Sequence, residues 1–215
     1  MPLILTTPLL MLAAYALGSL MGGLIVARLK GGVNLRASGS GNIGATNALR
    51  TQGKGFALAV LLIDVGKGVV AALLLPRLAG AAATPELAYA CGAAAVLGHC
   101  YPLWHRFRGG KGVATVAGVF AALLPASFPW MLLAFVLVVL LTGTVSLATL
   151  GASVVALLHV ACFSEQGLFS GAGAFTAAMA LLVLVKHRAN WARLRAGTEP
   201  RFERARLLGR ALGLK

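Results

Sequence analysis

The sequence predicts an all-α, polytopic integral membrane protein of about seven transmembrane helices, with the N-terminus outside and the C-terminus cytoplasmic. Three observations predict it. Hydrophobic residues make up 59% of the 215-residue chain and charged residues 11%, against about 45–50% and about 25% in an ordinary soluble domain. Mean hydropathy is +0.89. The basic residues are gathered into blocks separated by long apolar runs. A spanning helix takes about 20 apolar residues, so there is room for roughly six or seven spans and for no large soluble domain beside them. A cytosolic globule, a disordered chain and a fibrous protein are excluded by the same composition.

The elements follow in order from the charge pattern. The opening run, MPLILTTPLLMLAAYALGSLMGG, has no Lys or Arg ahead of it. A signal peptide needs a positive n-region, so a retained first span over about residues 3–27, entering from outside, is expected. Arg28, Lys30, Arg36, Arg50 and Lys54 form a first basic block, Arg106, Arg108 and Lys111 a second, and Lys186 to Lys215 a third, with no Lys or Arg between Gly112 and Val185. Placing all three blocks in the cytoplasm sends spans at about 56–75 and 86–104 out and back, with Arg77, Gly80 and Pro85 in the outer turn. The stretch 112–185 divides at Pro125–Pro129, Thr142–Ser146 and Ser164–Gly167 into spans of about 112–125, 130–142, 146–162 and 168–186. Several are short, so tilt or partial re-entry is expected. Abundant Gly and Ala suit close helix packing in lipid.

The chain thus reads as a single membrane domain, 1–215. Cytoplasmic segments lie at 34–54, 98–115 and 186–202, and a basic tail at 203–215. A net charge of +14 on a soluble chain would suggest nucleic acid. Flanking apolar spans, it sets orientation and attracts anions, so no nucleic-acid partner is expected. Cys91, Cys100 and Cys162 are scattered in apolar segments without a CxxC, so they read as packing residues, not as a disulfide framework or a metal site. Gly-Lys-Gly recurs at 53–55, 66–68 and 110–112, too irregularly for a repeat.

Three polar segments interrupt the apolar chain. The first, ASGSGNIGATNALR, contains Gly39-x-Gly41-x-x-Gly44. It lacks the preceding strand and the later acid of a dinucleotide fold. What remains is a loop of small donors opening a short helix, a backbone suited to an anion, with Arg50 as a forked phosphate donor. In the second, GHCYPLWHRFRGGKGVAT, glycines admit a ligand close to the backbone and Lys111 brings a mobile charge. It is not a P-loop, since His105 occupies the position of a required Gly. Trp104 and Arg106 read as an interfacial anchor, and His99 as either packed or functional. In the third, KHRANWARLRAGTEPRF, His187 and Asn190 share a helix face with Arg193 beyond them, and Gly197 ends the helix. Arg204, Arg206, Arg210 and Lys215 read as a tail on anionic lipid. Within the second span, Asp64 and Lys67 at i, i+3 are expected to pair.

Cation-bearing loops with few acids suit metal-free binding of phosphate esters at the membrane surface. The chain lacks a carboxylate cluster for magnesium, an HxxxxD pair and an identifiable Ser-His-Asp set. In order, it carries GSGNxGATNxxR, GHxxPxxxxFxGGKGVAT and HxxNxxRLxxGxE, and so resembles the bacterial acyl-phosphate glycerol-3-phosphate acyltransferases, the PlsY family. It departs at Asn34, where an acid is usual, Lys186, where Arg is usual, and Trp191, where an aliphatic is common.

The resemblance implies transfer of a fatty acyl group from acyl phosphate to the 1-hydroxyl of glycerol 3-phosphate, giving lysophosphatidic acid, without cofactor, metal or covalent acyl-enzyme. It implies a bacterial inner-membrane enzyme with its site on the cytoplasmic side. Oligomeric state is left open, a monomer being compatible. Carried onto this chain, it names Ser40, Lys111, His187 and Asn190 as catalytic. Gly39, Gly41, Asn42, Gly44, Thr46, Asn47, Arg50, Lys67, His99, Gly109, Gly110, Gly112, Ser146 and Arg193 are expected to bind substrate. Asp64 and Glu199 are read as structural, Glu199 tying the third segment to a basic neighbour. The alternative is a transporter or channel for an organic phosphate, with Asp64 and Lys67 lining the path.

Overall fold

The computed structural model describes residues 3–214, the side chains of residues 3–5 excepted, so Lys215 of the expected lipid-binding tail lies outside the described residues. The described residues form helices and no strand. The chain divides after Leu124 into two compact units.

The first unit holds α1 (Leu3–Gly18), α2 (Gly22–Leu29), α3 (Ala45–Gln52), α4 (Lys54–Leu73), α5 (Pro85–Cys100) and α6 (Val113–Leu123). Helix α4 packs against α2, α3, α5 and α6, while α1 lies on α5. Small residues allow these approaches. A Cβ on Gly18 would overlap the Ala95 carbonyl and one on Gly98 the Tyr15 carbonyl, which joins α1 to α5. Gly68 and Gly118 meet the backbone at Thr115 and Val65 and do the same for α4 and α6. Helix α5 starts where Pro85 sits in its first turn and the Thr84 hydroxyl accepts from the Leu87 N–H at 3.2 Å.

The second unit holds α7 (Phe128–Thr142), α8 (Val145–Phe163), α9 (Gly171–Lys186), α10 (Arg188–Arg195) and α11 (Leu207–Ala211). Helix α8 packs between α7 and α9, and α11 returns onto α7. Ser170 caps α9, accepting from the Gly173 N–H at 2.9 Å. At one end of the α7–α8 pair, Ser127 and His159 Nδ1 hydrogen-bond at 2.9 Å.

Each of the seven apolar segments contains a helix, but span lengths differ from expectation. Two stretches, Lys54–Ala82 and Val145–Phe163, are long and apolar enough to cross a bilayer by themselves, and up to four when each bent pair counts as one. The predicted span at 3–27 is broken at Ser19–Met21, and its halves bend by 44°. At 1.5 Å per residue α6 is about 16 Å long, roughly half of a hydrocarbon core. Two further expectations also change. Arg206 is buried, its Nε donating to the Leu141 carbonyl at 3.3 Å and its Nη2 to the Leu214 carbonyl, so it holds the C-terminal segment onto α7 instead of reaching lipid. Cys162 is exposed near the end of α8, unlike the buried Cys91 and Cys100.

Candidate functional site

In the first unit, the loop before α3 is built around one amide. Asn47, 1% exposed, donates from Nδ2 to the carbonyls of Leu35, Ser38 and Asn42 at 3.0, 3.0 and 2.7 Å. Its Oδ1 accepts from the Ser40 N–H at 2.9 Å. Gly39 and Gly41 have φ of +58° and +71°, values that favour glycine and let the chain wrap this side chain. Expected to touch substrate, Asn47 has its amide turned into the loop. Ser40 is half-buried, and its N–H is engaged by Asn47. Gly44 caps α3, so the N–H groups of Ala45 and Thr46 precede the first backbone bonds, which Asn47 and Ala48 make to the Gly44 carbonyl. This is the donor arrangement expected of an anion loop, with Arg50 half-buried in the last turn of the same helix.

The second loop folds back on the end of α5. Arg106 and Phe107 take left-handed backbone angles, and the Gly110 N–H donates to the His99 carbonyl at 3.1 Å. A Cβ on Gly109 would overlap that carbonyl, and one on Gly110 would overlap His99 Nε2. Gly112, with φ +80°, caps α6, and Lys111 stands half-buried beside it. Trp104 and Phe107 are 65% and 56% exposed. The two loops meet: Arg36 Nη2 donates to the Arg108 carbonyl at 2.7 Å. Sequence reasoning counted Arg36 only as a topogenic charge. A backbone carbonyl 72 positions away leaves no trace in a motif. Gly110→Ala is expected to lower transfer activity by about 100-fold or more, because the methyl displaces either His99 or the Lys111 loop. Steady-state kinetics in detergent check this, and near-normal kcat/KM refutes it.

Below the second loop lies a buried polar group. Lys67 Nζ is 2.9 Å from Asp64 Oδ1, donates to the Leu20 carbonyl at 2.8 Å and lies 2.8 Å from His99 Nδ1. Asp64 Oδ1 also accepts from the Gly22 N–H at 3.2 Å, so the Asp64–Lys67 pair holds both the break at Leu20 and the start of α2. Lys67 and His99, expected to bind substrate, thus bond each other with 5% and 3% of their surface exposed.

The second unit has its own cluster. Glu199 Oε1 accepts from Ser146 Oγ at 2.9 Å and Asn190 Nδ2 at 2.6 Å, while Oε2 accepts from Arg193 Nε at 2.7 Å. Burial pushes the Glu199 carboxyl up, but the hydrogen bonds from Asn190, Arg193 and Ser146 outweigh it and hold the group below the usual range. Arg193 is the basic neighbour expected for Glu199. That the carboxylate also takes Ser146, 53 positions away, and Asn190 was not anticipated. His187, 2% exposed, stands at the junction where α9 gives way to α10 with a bend of 53°. Its Nδ1 lies 2.7 Å from the Val183 carbonyl, which can only accept, so Nδ1 carries a proton and Nε2 of the neutral ring is an acceptor. Gly197, with φ +69°, follows α10 and turns the chain toward Glu199.

The glycerol-3-phosphate acyltransferase family model matches residues 8–197. A glycerol-3-phosphate acyltransferase of Geobacter sulfurreducens is 45% identical over 190 residues, covering 88% of this chain and 94% of the relative. One of Caulobacter vibrioides is 42% identical over 206 residues, covering 92% and 88%. Among solved structures, the glycerol 3-phosphate form of PlsY (YgiH), an integral membrane glycerol 3-phosphate acyltransferase, superposes with a TM-score of 0.84 at 35% identity over 94% of this chain and 98% of that one. Its lysophosphatidic acid form gives 0.82 at 34% identity over the same shares.

Proposed function

The chain belongs to the glycerol-3-phosphate acyltransferase family and is an acyltransferase, and from that premise we propose that it moves a fatty acyl group from acyl phosphate to the 1-hydroxyl of glycerol 3-phosphate, releasing phosphate. The transporter reading of the same anion loops is set aside by the family. The observation that carries the proposal is the Arg36–Arg108 hydrogen bond of 2.7 Å, which holds the Ser40–Gly44 loop against the loop of Lys111. A reaction between two phosphate-bearing molecules calls for two adjacent anion cradles.

In this reading Lys111, Arg50 and the Gly39–Gly44 and Gly109–Gly112 backbones hold phosphate oxygens. Thr46 lends the helix N-terminus, and Asn42 and Asn47 keep the first loop in shape. Ser40, His187 and Asn190 orient the hydroxyl or stabilise the developing oxyanion. With Nδ1 on the Val183 carbonyl, His187 turns Nε2 toward the hydroxyl and orients it. Glu199 holds Asn190, Arg193 and Ser146 in place. Acyl phosphate is already activated, so no acyl-enzyme is needed, and a substrate phosphate takes the proton. The enzyme sits in the bacterial inner membrane, N-terminus outside, with this chemistry on the cytoplasmic side.

The test is transfer by purified protein in detergent, with radiolabelled glycerol 3-phosphate and palmitoyl phosphate, palmitoyl-CoA or palmitoyl-acyl carrier protein. Lysophosphatidic acid is expected from the acyl phosphate alone. Product only from either thioester overturns the donor assignment, and no ester from any donor overturns the reaction.

A further inference from the structure

A lysine ammonium has three N–H bonds and no lone pair. Three groups surround Lys67 Nζ: Asp64 Oδ1 at 2.9 Å, the Leu20 carbonyl at 2.8 Å and His99 Nδ1 at 2.8 Å. The first two can only accept. Held against a buried carboxylate, the ammonium uses its three protons on the three of them, so His99 Nδ1, 2.8 Å from Nζ and 3.5 Å from Asp64 Oδ1, supplies a lone pair to the nearer group. A neutral imidazole with an accepting Nδ1 carries its proton on Nε2. That nitrogen faces Gly110, where a Cβ would overlap it. The ring is therefore seated against the loop that carries Lys111. The carboxylate that sets this arrangement is itself held by the Gly22 N–H at 3.2 Å.

We propose that Asp64 and Lys67 are positioning residues that lock His99 in its Nε2–H tautomer, so that His99 presents a hydrogen-bond donor to the Gly109–Gly112 segment. This deepens the reading above and rests on it, since that segment is the one assigned to a substrate phosphate. The opposite tautomer turns a lone pair toward a segment built to receive anions and repels phosphate oxygen. The chain thus spends two buried charges on choosing one of two ring forms.

The full-length protein in detergent, labelled with ¹⁵N-histidine, tests this directly. It contains 4 histidines, and the His99 signals are those missing from His99→Gln. The expected spectrum shows His99 with Nδ1 bare and Nε2 protonated. A protonated Nδ1, in either the neutral or the cationic ring, overturns the proposal. The double variant Asp64→Asn/Lys67→Met leaves no orphaned charge. It is expected to keep its helical circular dichroism, show mixed His99 tautomers and raise the substrate KM about 10-fold or more, with a smaller change in kcat. A folded double variant with normal KM overturns the positioning role, and one that does not fold leaves the decision to the wild-type spectrum. His99→Gln, which puts an amide N–H near the place of Nε2–H, is expected to keep more activity than His99→Asn. The reverse order counts against a donor there. The spectrum needs no substrate, so failure of the donor assay and failure of the tautomer assignment are distinguishable.

Discussion

His187→Ala is expected to reduce kcat by about 10²–10³, the range lost with one positioned hydrogen-bonding group at the reacting atoms. The size of the effect follows from how the ring is held. Nδ1 is anchored on the Val183 carbonyl at 2.7 Å, one helical turn back, and the side chain is 2% exposed. The ring has no freedom to present anything but Nε2 to a reacting hydroxyl. His187→Asn, whose amide can still donate to Val183, is expected to fold normally but stay inactive, since its short side chain does not reach the place of Nε2. Single-turnover transfer in detergent measures the loss. A variant with kcat within a factor of about three of wild type removes His187 from the chemistry.

Glu199→Ala is expected to destabilise the protein by about 3–4 kcal/mol and to abolish activity with it. A single carboxylate, its side chain 6% exposed, receives Ser146, Asn190 and Arg193. Hydrogen bonds to a charged group contribute about 1.5–3 kcal/mol each before relaxation. The Arg193 share is discounted, because its side chain is 33% exposed and solvent screens the pair. The pH dependence has a definite sign. The folded-state pKa of Glu199 lies below its ordinary 4.5, so the stabilisation is fully present above that value and is lost as pH falls through the lowered one. Thermal unfolding in detergent is expected to show the wild type losing stability on acidification below about pH 4.5. In Glu199→Gln, which retains an acceptor for Asn190 and Ser146 but turns an NH₂ toward Arg193, that part of the loss disappears. An unchanged acid limb in Glu199→Gln refutes the assignment.

The helical class and the helix positions were legible because apolar runs and their Gly/Pro punctuation are local properties. Pro85, expected in the outer turn, stands in the first turn of α5. Span lengths were less legible. Gly18-Ser19 and Gly22-Gly23 in LGSLMGG permit a break, but what fixes it comes from elsewhere: the Leu20 carbonyl takes Lys67 and the Gly22 N–H takes Asp64. The i, i+3 spacing of Asp64 and Lys67 announced their ion pair, but not the third member, His99, 32 positions on. Asn47 read as a ligand for substrate because a polar residue in a glycine loop is ambiguous. Only the fold shows that its amide closes on three carbonyls of its own loop.

The sequence by itself determined that this is a helical membrane protein of the acyltransferase family, with its polar chemistry in three segments. Hydrophobic content and contiguous motifs survive being read one residue at a time. The tertiary structure decided which polar side chains serve one another and which face outward: Arg36 on the Arg108 carbonyl, Ser146 on Glu199, Arg206 on the Leu141 carbonyl. A hydrogen bond depends on a few tenths of an ångström and an angle between groups dozens of positions apart. Such distances exist only once the chain has folded.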